Sequence, residues 1–152
     1  LRPAYAFARA DAVLIGAPYW DLSFPAALKV YLEWASTLGL TFAYTEQGAQ
    51  VGLSRARRLV YITTAGGPIG TLNLGYDYVR AWGAMMGIPR THCLTAENLD
   101  VVGADVDAIL ARSRKPPCPP IFNKTKAAVR AGVIPAARRP FCLSSIFHGY
   151  FA

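Results

Sequence analysis

Several residue types that carry common chemistries are scarce in this chain of 152 residues. Its three cysteines, Cys93, Cys118 and Cys142, are odd in number and far apart, with no C-x-x-C pair. That spacing offers neither a zinc site nor a disulfide framework, so a reducing, cytoplasmic setting is expected. There are two histidines and no H-x-x-x-H type cluster. Asp21, Glu46, Glu97 and Asp100 make no acid/base pair recognisable from spacing. No apolar run approaches the roughly 20 residues of a membrane span. The amino terminus lacks the charged and then apolar pattern of a signal peptide. No internal repeat is evident.

Acidic residues are missing from one part of the chain. Residues 1–113 hold nine Lys/Arg and nine Asp/Glu, whereas 114–152 hold seven Lys/Arg and no acid, so the net charge of +7 belongs wholly to the tail. A basic face for nucleic acid is normally built into the fold, so no nucleic-acid partner is expected. The tail also carries six of the eleven prolines, including Lys115-Pro-Pro-Cys-Pro-Pro120, which suits neither helix nor central strand. Within it Lys124 to Ala131 can form a short basic helix. The expected division is a folded unit over 1–113 and an irregular tail over 114–152 outside its core.

The first part alternates strand and helix. Residues 1–10 read as a helix end. Ala12 to Gly16 is an apolar strand, and a helix follows Pro25 to about Leu38, with Leu28, Tyr31, Leu32, Ala35 and Leu38 on one face. Ser23 is its candidate cap, and Gly39 its stop. Leu59 to Thr64 is β-branched and aromatic, a buried strand. A helix from about Leu74 carries Tyr78, Val79, Trp82, Met85 and Met86 and stops at Gly87-Ile-Pro89. Arg90 to Thr95 is a third strand, and Asp105 to Arg112 a last helix. This order implies an α/β fold with a parallel sheet. Right-handed crossovers place every strand-end loop along one edge.

Two of those loops are distinctive. Pro18-Tyr-Trp-Asp21, followed by Phe24-Pro25, is aromatic and suits a flat ring better than a bare phosphate. Thr64-Ala-Gly-Gly67 lets the main chain come close to a ligand. Backbone N–H groups of Pro18–Asp21 and Ala65–Gly67 are candidate donors to the polar edge of such a ring. Taken alone, a Gly-Gly turn is an ordinary turn, and Trp20 a core residue. Two such loops at successive strand ends favour a pocket. His92 and Cys93 lie inside a strand and read as packing residues, as do Met85 and Met86.

These motifs, with Thr41-Phe-Ala-Tyr-Thr-Glu-Gln-Gly48 between them, resemble the flavodoxin-like FMN-dependent NAD(P)H oxidoreductases, the azoreductase and quinone-reductase family. The resemblance covers about 1–113. It implies a flavodoxin-like three-layer sandwich, present in part with about three strands. It further implies FMN bound by Pro18, Tyr19, Trp20, Asp21, Phe24, Thr64, Ala65, Gly66 and Gly67. NADH or NADPH would be the electron donor, and a quinone or azo compound the acceptor. It implies a homodimer, and Phe42 and Tyr44 as substrate contacts, though the same aromatics could tuck back on the domain. The family's amino-terminal strand and phosphate loop have no counterpart at Leu1-Arg-Pro3, so weak FMN binding is expected. A non-catalytic fragment, a flavodoxin-type electron carrier and a tail-driven module for anionic surfaces remain open.

Overall fold

The computed structural model describes residues 2–113 and 129–131. Ten elements follow one another: α1 (Arg2–Ala8), β1 (Val13–Pro18), α2 (Ala26–Ala35), β2 (Phe42–Tyr44), β3 (Gln50–Gly52), β4 (Leu59–Thr64), α3 (Leu74–Met85), β5 (Thr91–Ala96), α4 (Val106–Ser113) and β6 (Val129–Ala131). The main sheet has the order β5-β4-β1-β6. All its pairings are parallel, with Pro18 beside Thr64 and Thr64 beside Ala96. The three strands expected from sequence are therefore adjacent, and their carboxyl-end loops leave one edge.

Both faces of the sheet are covered. One core joins Phe7, Val13, Ile15, Leu28, Leu32, Leu59, Tyr61, Val79, Trp82 and Met86, beneath α1, α2 and α3. The other joins Val60, Ile62, Leu94 and Ala96 with Ile109 and Leu110 of α4. Because side chains alternate across a strand, the apolar run of β4 serves both cores, as a strand buried on two faces requires. Phe7 and Trp82 meet with ring centroids 4.8 Å apart, and Trp82 Nε1 donates to Ser36 Oγ at 2.9 Å. These contacts fasten α1 and the end of α2 to α3.

Four details differ from the sequence reading. The helix α2 ends at Ala35 rather than near Leu38. There Thr41 Oγ1 donates to the Ala35 carbonyl at 2.8 Å and accepts from Thr37 N at 2.9 Å, closing the terminus through a buried hydroxyl. Ser23 is not the cap of α2. Pro25 holds that position without a side-chain bond, while Ser23 pairs its main chain with Trp20. The segment 41–48 is not a simple loop. Its first part is β2, paired antiparallel with β3 in a hairpin turning at Gly48. Finally, Val129–Ala131 is a strand beside Val13–Ile15, so the helix read over 124–131 is corrected there. The rest of 114–152 lies outside the described residues.

The hairpin is clamped to the far end of α3. Gln50 Nε2 donates to the Met85 carbonyl at 2.9 Å, and Ser54 N to the Met86 carbonyl at 3.1 Å. Gly52 lies directly against the Gly87 main chain, and a Cβ at 52 would overlap the Gly87 nitrogen. Gly87 itself has φ +82°, the left-handed turn that ends a helix. Neither backbone can yield cheaply, so Gly52→Ala should lose about 1–3 kcal/mol of stability and free the hairpin. Urea unfolding and faster amide exchange at Gln50–Gly52 would register both effects, and wild-type values for both would show that the clamp is unimportant.

Candidate functional site

The parallel register puts three loops side by side: 19–25 after β1, 65–73 after β4 and 97–105 after β5. Main-chain bonds tie each to its neighbour. Tyr19 N donates to the Thr64 carbonyl at 2.8 Å, and Ala65 N to the Ala96 carbonyl at 2.9 Å. Tyr19 Oη donates to the Leu72 carbonyl at 2.9 Å, and Leu74 N to the Leu22 carbonyl at 3.1 Å. The first loop is thus moored to the amino-terminal start of α3. Asn73 caps that start, its Oδ1 accepting from Tyr76 N at 2.9 Å.

The first loop is a tight reverse turn. Trp20 and Ser23 exchange two main-chain bonds, at 3.1 and 2.8 Å, around Asp21 and Leu22. Both central residues have positive φ, 48° and 66°. An aspartate tolerates this conformation, but a leucine does so only under strain, and such strain concentrates at functional loops. The turn leaves the Trp20 side chain 60% exposed and Leu22 45% exposed. Phe24 points the other way, half-buried against the core and edge-on to Tyr78 at 5.6 Å.

The second loop is held from behind by the third. Ala65, Gly66 and Gly67 carbonyls accept from Leu99, Asp100 and Asn98 amides at 3.2, 3.0 and 3.3 Å. Glu97 accepts from Ile69 N at 2.9 Å through its carboxylate. The Asp100 carboxylate lies where a Cβ on Gly66 would stand. With its carbonyls turned to this clasp, the loop has two N–H groups, those of Gly66 and Gly67, without a partner among the described residues. The Asp21 N–H is in the same state.

The donor set is therefore narrower than the sequence suggested. Pro18 has no N–H, and those of Tyr19, Trp20 and Ala65 are already bonded within the protein. Asp21, Gly66 and Gly67 remain. Leu22 and the 97–100 clasp were not legible as parts of the site. For Glu97 and Asp100, the one available signal was their place after the third strand.

Pro18–Phe24 and Thr64–Gly67 come together at this edge. Phe42 and Tyr44 do not join them in the same chain. They pair with Gly52 and Gln50, at the carboxyl-terminal end of α3, whereas the loops lie at its amino-terminal end. Twelve residues of helix separate the two by roughly 17 Å. Phe42 packs partly on the core, while Tyr44 is 60% exposed with its ring edge-on to Phe42 at 5.9 Å.

The edge offers little acid/base or metal chemistry of its own. Among the described residues no group of three or more His, Cys, Asp or Glu could hold a metal ion. Burial pushes the Cys93 thiol up to about 11, against the opposing pull of the Asn73 amide 3.8 Å away. A thiolate nucleophile at neutral pH is therefore disfavoured. Three free amides, two approachable glycines and an exposed indole suit the binding of a flat ring with one polar edge.

The chain is similar to several known proteins. Of the curated relatives, the FMN-dependent NADH:quinone oxidoreductase 2 of Clostridium acetobutylicum is 44% identical over 115 residues, covering 72% of this chain and 57% of its own. The FMN-dependent NADH:quinone oxidoreductase of Caldicellulosiruptor saccharolyticus is 38% identical over 120 residues, covering 76% and 59%. The chain thus spans somewhat over half the length of these relatives. Among solved structures, an azoreductase from Bacillus anthracis superposes with a TM-score of 0.63 at 25% identity, over 74% of this chain and 56% of that one. A family model described as the flavodoxin-like fold matches residues 2–115, and the chain belongs to that flavodoxin-like family.

Proposed function

We propose that this chain carries the ring-binding part of an FMN-dependent NADH oxidoreductase acting on quinones or azo compounds. The observation that carries this reading is the set of free Asp21, Gly66 and Gly67 amides at one sheet edge, beside the exposed Trp20 indole. These residues fit a flavin. The amides can donate to the oxygens and ring nitrogens of its pyrimidine edge, and glycine at 66 and 67 allows the main chain close to the ring. Trp20 and Leu22 give apolar surface against one face. When bound, FMN supplies the electron chemistry, taking a hydride equivalent from NADH and passing two electrons to the acceptor. The protein's part is to bind and orient. The Glu97 and Asp100 clasp holds the second loop's carbonyls away, so that its N–H groups face the ligand. The strained Asp21–Leu22 turn sets the first loop's height.

The relatives' names support NADH as donor. A cytoplasmic setting, where NADH is available, fits the free thiol of Cys93. We place the folded unit at about 1–113, with Val129–Ala131 added to its sheet beside β1. No helix among the described residues is long and apolar enough to cross a membrane.

The reading further assigns Phe42 and Tyr44 to the acceptor through a second copy of the chain, since their own loops lie at the other end of α3. Trp34 and Leu38, near the end of α2, are 64% and 63% exposed and Tyr44 is 60% exposed, while Leu38 is bridged to Phe42, which offers apolar surface for self-association. Light scattering should give a dimer, which Trp34→Glu should dissociate. A wild-type monomer at tens of micromolar would remove this assignment.

Flavin fluorescence tests the ring site. Titrating the chain should quench FMN and riboflavin alike, because the named contacts are to the ring. Gly66→Ala, whose Cβ displaces Asp100 and with it the loop, should weaken both by about tenfold, or 1.4 kcal/mol. No quenching of either ligand, or an unaltered affinity in the variant, would refute the assignment.

A further inference from the structure

The turn of the first loop places a leucine where glycine or asparagine would sit without strain. Leu22 has φ 66°, yet its side chain is exposed rather than packed in the core. Folding gains little from such a residue, so its use lies in what the side chain touches.

Two more exposed leucines stand beside it. Leu74 N donates to the Leu22 carbonyl at 3.1 Å, and Tyr19 Oη donates to the Leu72 carbonyl at 2.9 Å. These bonds join the first loop and the approach to α3 into one ledge, on which Leu22, Leu72 and Leu74 are all exposed next to Trp20. Single exposed apolar residues are ordinary, but several gathered from two loops mark a place where something binds. The ledge adjoins the free Asp21 amide, so it is continuous with the ring site.

The charges of this edge have one sign. The loops 19–25, 65–73 and 97–105 carry Asp21, Glu97, Asp100 and Asp105 and no Lys or Arg. Arg80, the one cation of α3, is paired with Asp77 at 3.1 Å. Lys29, the one cation of α2, is held by Glu33 and lies over the Tyr78 ring. A sulfonate or carboxylate arriving here meets carboxylates of its own sign, and these loops and helices offer it no unpaired cation.

We propose that Leu22, Leu72 and Leu74 bind the hydrocarbon part of an uncharged quinone, and that the chain selects such acceptors over sulfonated or carboxylated ones. The inference rests on the ring-site reading for the ligand's role as acceptor, but the binding itself can be followed without flavin.

The test is a leucine-methyl spectrum of the whole chain, with and without riboflavin. It is titrated with a methyl-propyl naphthoquinone and with the analogue carrying a sulfonate at the end of the propyl group. The uncharged quinone should shift the Leu22, Leu72 and Leu74 methyls and bind at least about tenfold tighter than the sulfonate at low salt. Leu72→Lys should weaken the uncharged quinone and strengthen the sulfonate, closing or reversing that gap. If riboflavin fails to bind while the uncharged quinone still shifts these methyls, the flavin reading falls and the ledge stands. Equal affinities for the two quinones, or a gap that Leu72→Lys leaves unchanged, would overturn the proposal. So would leucine methyls that the uncharged quinone leaves unmoved, whether bare or already covered by a second copy of the chain.

Discussion

The parallel register of β1, β4 and β5 is the constraint on which everything else depends. Parallel strands cannot be joined by tight turns, so each must be followed by a crossover, and each crossover begins at the same edge. Pro18, Thr64 and Ala96 are in line across the sheet, and the loops after them have no choice but to be neighbours. Main-chain bonds then complete what the register starts. Tyr19 bonds to Thr64 and Ala65 to Ala96, one step beyond the last paired residues, so the sheet's order extends into the loops. The rigidity of the candidate site is borrowed from the sheet.

A second constraint acts at the opposite edge. There the hairpin of β2 and β3 is packed glycine to main chain against the end of α3. Helix length fixes the separation between this hairpin and the three loops. Tyr44 and Gly66 therefore lie towards opposite ends of α3, roughly 17 Å of helix apart.

Most of the fold was legible because its signals are local. The strand Leu59–Thr64 is β-branched and bounded by a basic turn and a glycine pair. The helix Leu74–Met85 has an asparagine cap and a Gly-Ile-Pro stop. Neither needs tertiary information. The hairpin was missed because β2 and β3 are three residues each, too short for alternation to show. The end of α2 was misplaced because Thr41, six residues beyond Ala35, closes it through the fold. At the site, the aromatic loop and the Gly-Gly turn announced themselves. Which amides stay free did not, because that depends on the Trp20–Ser23 turn pairing and on bonds such as Tyr19 to Thr64 and Ala65 to Ala96, between residues 30 or more apart. Leu22 was invisible for a different reason. A leucine at φ 66° contradicts local preference, and the reciprocal Trp20–Ser23 pairing and the Leu74 N–H on the Leu22 carbonyl hold it there.

The proposed site seats a flavin ring at the carboxyl edge of the sheet, on the free amides of the first two loops. The most direct measurement is a nitrogen–proton correlation spectrum of the labelled chain titrated with FMN. The Asp21, Gly66 and Gly67 amides should shift most, with the Trp20 indole following, while Gly52 and Gln50 stay in place at concentrations where the chain is monomeric. Shifts centred on the hairpin or the basic segment, with these three amides unmoved, would contradict the claim.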